Sequence, residues 1–311
     1  MERMSATTHC GFVAVLGAPN AGKSTLVNAL VGQKVSIVSQ KVQTTRIPVR
    51  GIAMHGNAQI VFVDTPGIFA PKRRLDRAMV KAAWGGAADA DAILVMVDAP
   101  ELSAHASCLA GVDTDRIVDG LKQAGKKAAL VLNKIDSVKR DQLLPLAERL
   151  NQTGVFDETF MISATKGDGL EALLKYAEKR MPLGPFLYPE DQAADIPSRL
   201  LAAEITREKL YLRLHDELPY ASTVLTDSWK ELKDGSVRID QTIFVEREGQ
   251  KAIVIGKGGS AIKWIGEASR REMEDLFGRR VHLFLHTKVL AGWGDKIAHY
   301  REWGLEFPRD Q

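Results

Sequence analysis

Residues 12–32 read FVAVLGAPNAGKSTLVNALVG, and this stretch decides the fold. An apolar, strand-like run ends at Gly17, and a helix-like segment, TLVNALVG, begins at Thr25. Between them, Gly17-Ala-Pro-Asn-Ala-Gly22-Lys23-Ser24 fits the pattern GxxxxGK[ST] in the strand-then-helix context that the pattern requires. The two glycines let backbone N–H groups turn inward around a β-phosphate, and the helix N-terminus adds partial positive charge. In such a loop Lys23 neutralises β/γ oxygens and Ser24 ligates Mg²⁺, with Asn20, Ala21 and Thr25 completing the cradle. Alone, the pattern supports a nucleoside-triphosphate site, against the blander reading of a glycine-rich turn.

Outward from this stretch, to about Met181, the runs FVAVLG, AQIVFVD, AILVMVD, KAALVLN and ETFMIS alternate with longer amphipathic segments. That alternation predicts an α/β fold with a doubly wound, mostly parallel sheet. Each run ends in a polar or glycine-containing stretch, which would be the carboxyl end of a strand, where ligands bind.

Three more motifs fall at those ends. Asp64-Thr65-Pro66-Gly67 follows AQIVFV, so Asp64 can hold Mg²⁺ through water while the Gly67 N–H reaches a γ-phosphate. Asn133-Lys134-Ile135-Asp136 follows KAALVL. A carboxylate at Asp136 can accept from guanine N1–H and the 2-amino group, and adenine would leave it unsatisfied. Asn133 and Lys134 would brace the loops and stack along the ring, and Ser163-Ala164-Thr165 can present a backbone N–H to guanine O6. In this order and spacing the four motifs resemble the translation-factor-related GTPases over residues 11–181.

The resemblance implies that SIVSQKVQTTR, up to Arg46, is the first switch. Thr45 is then the choice for the Mg²⁺ ligand that senses γ-phosphate, with Thr44 the close alternative. Lys23, Thr45 and Gly67 would carry catalysis. Where Ras-like enzymes place a glutamine that orients the attacking water, this chain has Ile68. Water would then be positioned by backbone, another side chain, a partner or a cation, so slow turnover accelerated by a partner is expected. Asn20 is a candidate K⁺ ligand within that resemblance, or else an asparagine that stabilises the loop.

Residues 182–198 contain Pro182, Pro185, Pro189 and Pro197 without a period and read as a linker between a domain at 1–181 and another at 199–290, leaving 291–311 as a tail. The second domain reads as helix, two strands joined by a KDGS turn, GQKAIVIGKGG, a helix and a last strand, RRVHLFLHTKVL. Gly256-Lys257-Gly258-Gly259 is a GxxG, which in KH modules lets backbone approach single-stranded RNA phosphates. Propensity makes AIVIG a strand, but the KH resemblance places a helix there and predicts a smaller α+β domain of the second KH type. Residues 247–280 hold eight Lys+Arg against five Asp+Glu. From these, Lys251, Lys257, Lys263, Arg270 and Arg271 are candidate RNA contacts, each alternatively a solvated charge. Trp264 could stack on a base but reads more readily as core.

GAPNAGKS, QTTR, DTPGI, NKID, SAT and REGQKAIVIGKGG with LPY at Leu218–Tyr220 together resemble the Era family of bacterial GTPases. This implies GTP/GDP and Mg²⁺ as ligands, with K⁺ a candidate further cofactor through Asn20, and the small ribosomal subunit and its rRNA 3′ end as partners during subunit maturation. It also implies peripheral membrane association. The competing functional reading is a membrane-associated signalling or scaffold GTPase whose GxxG is a simple turn.

Bulk composition agrees with two domains: 311 residues, 45% hydrophobic, 26% charged. A net charge of +3 is too small to argue for a polyanion partner. Two distant cysteines, Cys10 and Cys108, without CxxC or Cys/His spacing argue against a disulfide framework or zinc site and fit a reducing cytosol. No run approaches a spanning helix, and the start lacks the apolar region of a signal peptide, so a monomeric cytoplasmic protein is expected.

Overall fold

The computed structural model describes residues 7–39, 41, 44–104, 108–215 and 218–308. The chain forms two compact units, the first running to Asp195 and the second spanning Ile196–Phe307.

In the first unit, β1 (His9–Gly17) turns into α1 (Lys23–Val31), followed by the hairpin β2 (Val49–His55) and β3 (Ala58–Asp64). Then come α2 (Arg74–Asp89), β4 (Ala92–Asp98), α3 (Ala99–Ala104), α4 (Leu109–Gln123) and β5 (Ala128–Asn133). The unit closes with α5 (Arg140–Asn151), β6 (Phe156–Met161), α6 (Leu170–Glu178) and the two-residue β7 (Ala194–Asp195). The strand order is β6-β5-β4-β1-β3-β2-β7. Pairing is parallel from β6 through β3, and β2 runs antiparallel to both β3 and β7. Strands β3, β4 and β5 are buried at every residue, because helices cover both faces, as a parallel sheet requires. One face packs Leu16, Val95, Ile117 and Leu130; the other packs Val15, Leu26, Phe62 and Leu94.

The five quoted runs are strands, and the sheet gains β2 and β7. The second of these corrects the linker boundary. Residues 182–195 are tied to the first sheet: the Pro182 carbonyl accepts the Cys10 N–H at 3.0 Å, and the Gly184 N–H donates to Thr8 O at 3.1 Å. Gln59, fully buried on β3, takes the N–H groups of Leu187 and Tyr188 on its Oε1 and gives its Nε2–H to Tyr188 O. β7 then pairs with Arg50 and Gly51 of β2. Extended, proline-punctuated backbone has free N–H and C=O groups, and an open sheet edge satisfies them.

The second unit orders α7 (Ser198–Arg213), β8 (Ser222–Glu231), β9 (Val237–Val245), α8 (Glu248–Ile255), α9 (Ser260–Phe277), β10 (Val281–Val289) and α10 (Ile297–Glu302). Its sheet runs β10-β9-β8, with β8–β9 antiparallel and β9–β10 parallel. Val237, Ile239, Ile243 and Val245 are all buried, alternating along β9 toward the helices. Residues 252–255 are helical despite their β-branched composition. The Gln250 side chain caps the helix start by accepting from Glu246 and Arg247 N–H at 2.9 and 3.1 Å. Within Ala252–Ile255 only Val254 is buried, so a helix loses less apolar contact there than a strand would.

The stretch after residue 290 is no loose tail. Trp293, Tyr300, Trp303 and Leu305 are buried, and Trp293 Nε1 donates to Ala221 O at 3.0 Å. Four apolar side chains close in sequence supply their own small core, which is why the segment folds back.

Candidate functional site

The phosphate loop is shaped by close approaches. A Cβ at Gly17 would lie 2.6 Å from Met96 O. One at Gly22, where φ is +96°, would collide with the Asn133 side-chain amide. Asn20 adopts φ 63°, a left-handed conformation that asparagine tolerates well. Lys23 opens α1, is buried, and donates from Nζ to Gly17 O (3.1 Å) and Ala18 O (2.9 Å). Burial pushes its ammonium down to about 8, partly countered by Asp64. Ala21 is buried and its carbonyl accepts from Asn133 Nδ2 at 2.9 Å, while Thr25 sits half-buried in the first turn of α1.

Ser24, Thr45 and Asp64 converge. Ser24 Oγ donates to Asp64 Oδ2 at 2.7 Å, Thr45 Oγ1 donates to the same oxygen at 3.1 Å, and the two hydroxyls lie 2.8 Å apart. Thr44 turns elsewhere, to Ser39 Oγ and Lys41 O. The remaining Asp64 oxygen, Oδ1, is fully buried with no hydrogen-bond partner among the described residues. Burial raises the Asp64 carboxyl, opposed first by the Ser24 bond and then by Lys23. A buried, half-satisfied carboxylate beside two hydroxyls is a hard-oxygen donor set for a divalent cation. Gln40, Val42 and Gln43 of the expected first switch lie outside the described residues.

The second switch begins where β3 ends. Thr65 Oγ1 donates to Val15 O at 2.7 Å, and Gly67 presses on Pro19, where a Cβ would meet its ring at 3.0 Å. Ile68 is fully buried among core residues of the sheet, and its N–H donates to Gly17 O at 3.1 Å. The buried side chain and this backbone bond together hold the loop against the phosphate loop.

The base motifs form one bonded group. Asn133 bridges two loops, giving its Nδ2–H to Ala21 O and taking the Ala164 N–H on Oδ1 at 3.1 Å. Asp136 Oδ1 accepts from Ser163 Oγ at 2.7 Å, a bond that, with Lys166 at 3.8 Å, holds its carboxyl below the usual range. Thr165 lies 3.3 Å from Ser163 through its hydroxyl. Lys134 forms an ion pair with Asp98 at the end of β4. Two supporting residues have no motif to announce them: Asp98, and Asn28, whose amide binds Val35 and Ser36 backbone and anchors the loop after α1.

In the second unit, Gly256, Gly258 and Gly259 take φ of 74°, 61° and 78° at the junction of α8 and α9. Among the described residues, a Cβ at Gly256 would lie 2.8 Å from Ala261 N, whereas one at Gly258 or Gly259 would meet nothing within 4 Å. C-terminal to this loop, α9 and β10 wall a groove of about 330 Å³ lined by Ile262, Lys263, Glu267 and Arg270 of the helix and by Leu283 and Leu285 of the strand. Of the five candidate basic contacts, Lys263 and Arg270 line the groove, Arg270 also pairing with Glu274 at 2.8 Å. Lys257 is exposed in the loop. Lys251, 3.9 Å from Glu248, and the exposed Arg271 do not line it. Trp264 is 41% exposed, contrary to the core assignment, with the Arg213 guanidinium 5.9 Å from its ring. The helical period turns it away from the buried positions 261, 265 and 269, a phase that a short apolar window does not fix.

Residues 12–134 match the family described as 50S ribosome-binding GTPase, and residues 217–294 match the KH domain. The chain is 57% identical to the GTPase Era of Caulobacter vibrioides, covering 99% of both sequences. It is 60% identical to that of Agrobacterium fabrum, covering 97% of this chain and 93% of the relative. The chain belongs to the Era family of GTPases. A solved Era in complex with MgGDPNP and nucleotides 1506–1542 of 16S ribosomal RNA superposes with a TM-score of 0.88 at 39% identity, covering 96% of this chain and 99% of that one. A point variant of Aquifex aeolicus Era bound to GDP·AlF₄⁻ superposes equally well, at the same identity and coverage. As an Era GTPase, this chain joins a P-loop GTPase sheet to a KH domain, and it converts GTP to GDP and phosphate.

Proposed function

We propose that this Era GTPase is a slow, partner-stimulated switch that binds small-subunit ribosomal RNA through its KH groove and assists maturation of the small subunit. The observation that carries the reading is the convergence of the nucleotide motifs at strand ends, on the same chain as a GxxG followed by a groove whose lining includes Lys263 and Arg270 beside Glu267. Full-length likeness to an Era solved with 16S RNA nucleotides supports the RNA class. Lys23 neutralises phosphate charge, Asn133 and Lys134 brace the base, and Asp136 selects guanine. Ser24 and Thr45 would hold Mg²⁺ directly and Asp64 through water; the ion, when bound, neutralises charge on the β/γ oxygens. With Ile68 in the core, the residue that follows Gly67 does not orient water, which supports dependence on a partner or on K⁺ beside Asn20. The reading takes the protein as a cytosolic monomer, with peripheral contact to the inner membrane face as a subsidiary expectation. No helix among the described residues is long and apolar enough to cross a membrane.

Two expected results test this. Thr45→Ala should lower the Mg²⁺-dependent preference for GTP over GDP about tenfold, the effect of one lost charge-assisted contact, whereas Thr44→Ala should change it less than twofold. Competition binding with and without Mg²⁺ measures both, and equal effects would dismiss Thr45. Gly258→Asp places a carboxylate in open space at a left-handed position that aspartate tolerates. RNA crosslinking should fall at least about tenfold with GTP hydrolysis intact. A scaffold whose GxxG is only a turn would lose nothing.

A further inference from the structure

Asp98 belongs to none of the nucleotide motifs, yet the fold places it against one of them. It ends β4 in direct register with Asn133 on β5, one residue before Lys134. Its side chain is 8% exposed. Oδ1 accepts the Glu101 N–H at 3.1 Å, which ties the carboxylate to the first turn of α3, and Oδ2 takes the Lys134 ammonium. Lys134 itself stands at φ 63°, just before the short 3-10 turn Ile135–Ser137 that presents Asp136.

We infer that Asp98 is a positioning residue for guanine recognition: it holds the Lys134 ammonium so that the aliphatic stem is already laid along the base plane. This rests on the reading that Asn133, Lys134 and Asp136 hold the base. A lysine stem has four rotatable bonds, and a free one must be ordered when the base arrives. Here its far end is fixed by a carboxylate that is itself fixed by backbone, so the ordering is completed during folding. The pair is also mutually dependent, because a carboxylate this buried needs its cation and the bond from Glu101. Asp98 touches no reacting atom, so it acts on affinity and leaves the chemical step alone.

The test is a cycle on the full chain, with GDP and GTP affinities read by titration and turnover read at saturating GTP. Asp98→Asn keeps an oxygen for Glu101 but turns an amide toward the lysine. It should weaken GDP and GTP alike by about tenfold, raising KM with little change in kcat and leaving the guanine-to-xanthine preference in place. Lys134→Met should weaken both nucleotides too, and adding Asp98→Asn to it should cost less than twofold more. Full additivity in the double variant, or wild-type affinity in Asp98→Asn, overturns the positioning role. Wild-type affinity in Lys134→Met instead overturns the base-site reading, and the positioning role with it. Should Asp98→Asn lower the nucleotide-free melting point, Asp98→Glu supplies the second arm: it restores the charge, and affinity should recover.

Discussion

Lys23→Ala is expected to reduce GTP and GDP affinity by about 10²–10⁴-fold while leaving the nucleotide-free protein folded. The size follows from losing two charge-assisted contacts to phosphate, each contributing roughly 1.5–3 kcal/mol. Folding should survive because the ammonium gains little in the free protein. Burial pushes it down to about 8, and its bonds go to two backbone carbonyls, Gly17 O and Ala18 O. Equilibrium binding of a fluorescent GDP and a thermal melt check the two halves separately. Affinity within twofold of the parent would remove the phosphate-loop assignment, and collapse of the melt would show that Lys23 is chiefly structural.

The second large effect is a change of base. Asp136→Asn should cost about 10²–10⁴-fold in GTP affinity and gain affinity for xanthosine triphosphate, so that the preference reverses. Guanine offers two donors to the carboxylate; xanthine carries a carbonyl where guanine has its 2-amino group, and an amide can donate to it. The substitution should be tolerated locally, because the new amide would retain an oxygen for Ser163, which donates at 2.7 Å in the parent. Competition between the two triphosphates measures the reversal. Loss of both nucleotides in equal measure would mean that Asp136 orders the loop without reading the base.

What the sequence revealed depended on whether neighbours close along the chain determine the outcome. Phe12–Lys23 reads correctly because a strand, two close-approach glycines and a helix start are all local. The places of Lys23, Ser24, Asp64, Asn133 and Asp136 in the fold follow from motif and strand end together. Thr45 and Thr44 cannot be separated by composition; only folding turns one hydroxyl to Asp64 and the other to Ser39. β7 is invisible, since two residues with no pattern become a strand only because β2 offers an edge. Asp98 is equally silent: its role needs β4 and β5 in register. Ala252–Ile255 is a case where local propensity is overridden by a cap and by which one side chain the core accepts.

Gln59 and β7 also determine where this protein can be divided. A fragment ending at Met181 would leave the fully buried Gln59 amide without Leu187 and Tyr188, and would expose the backbone of Arg50 and Gly51 along an unprotected strand. Such an edge invites pairing with another molecule. A fragment ending at Asp195 keeps both covered, so the GTPase half should remain monodisperse only when the proline-rich stretch goes with it.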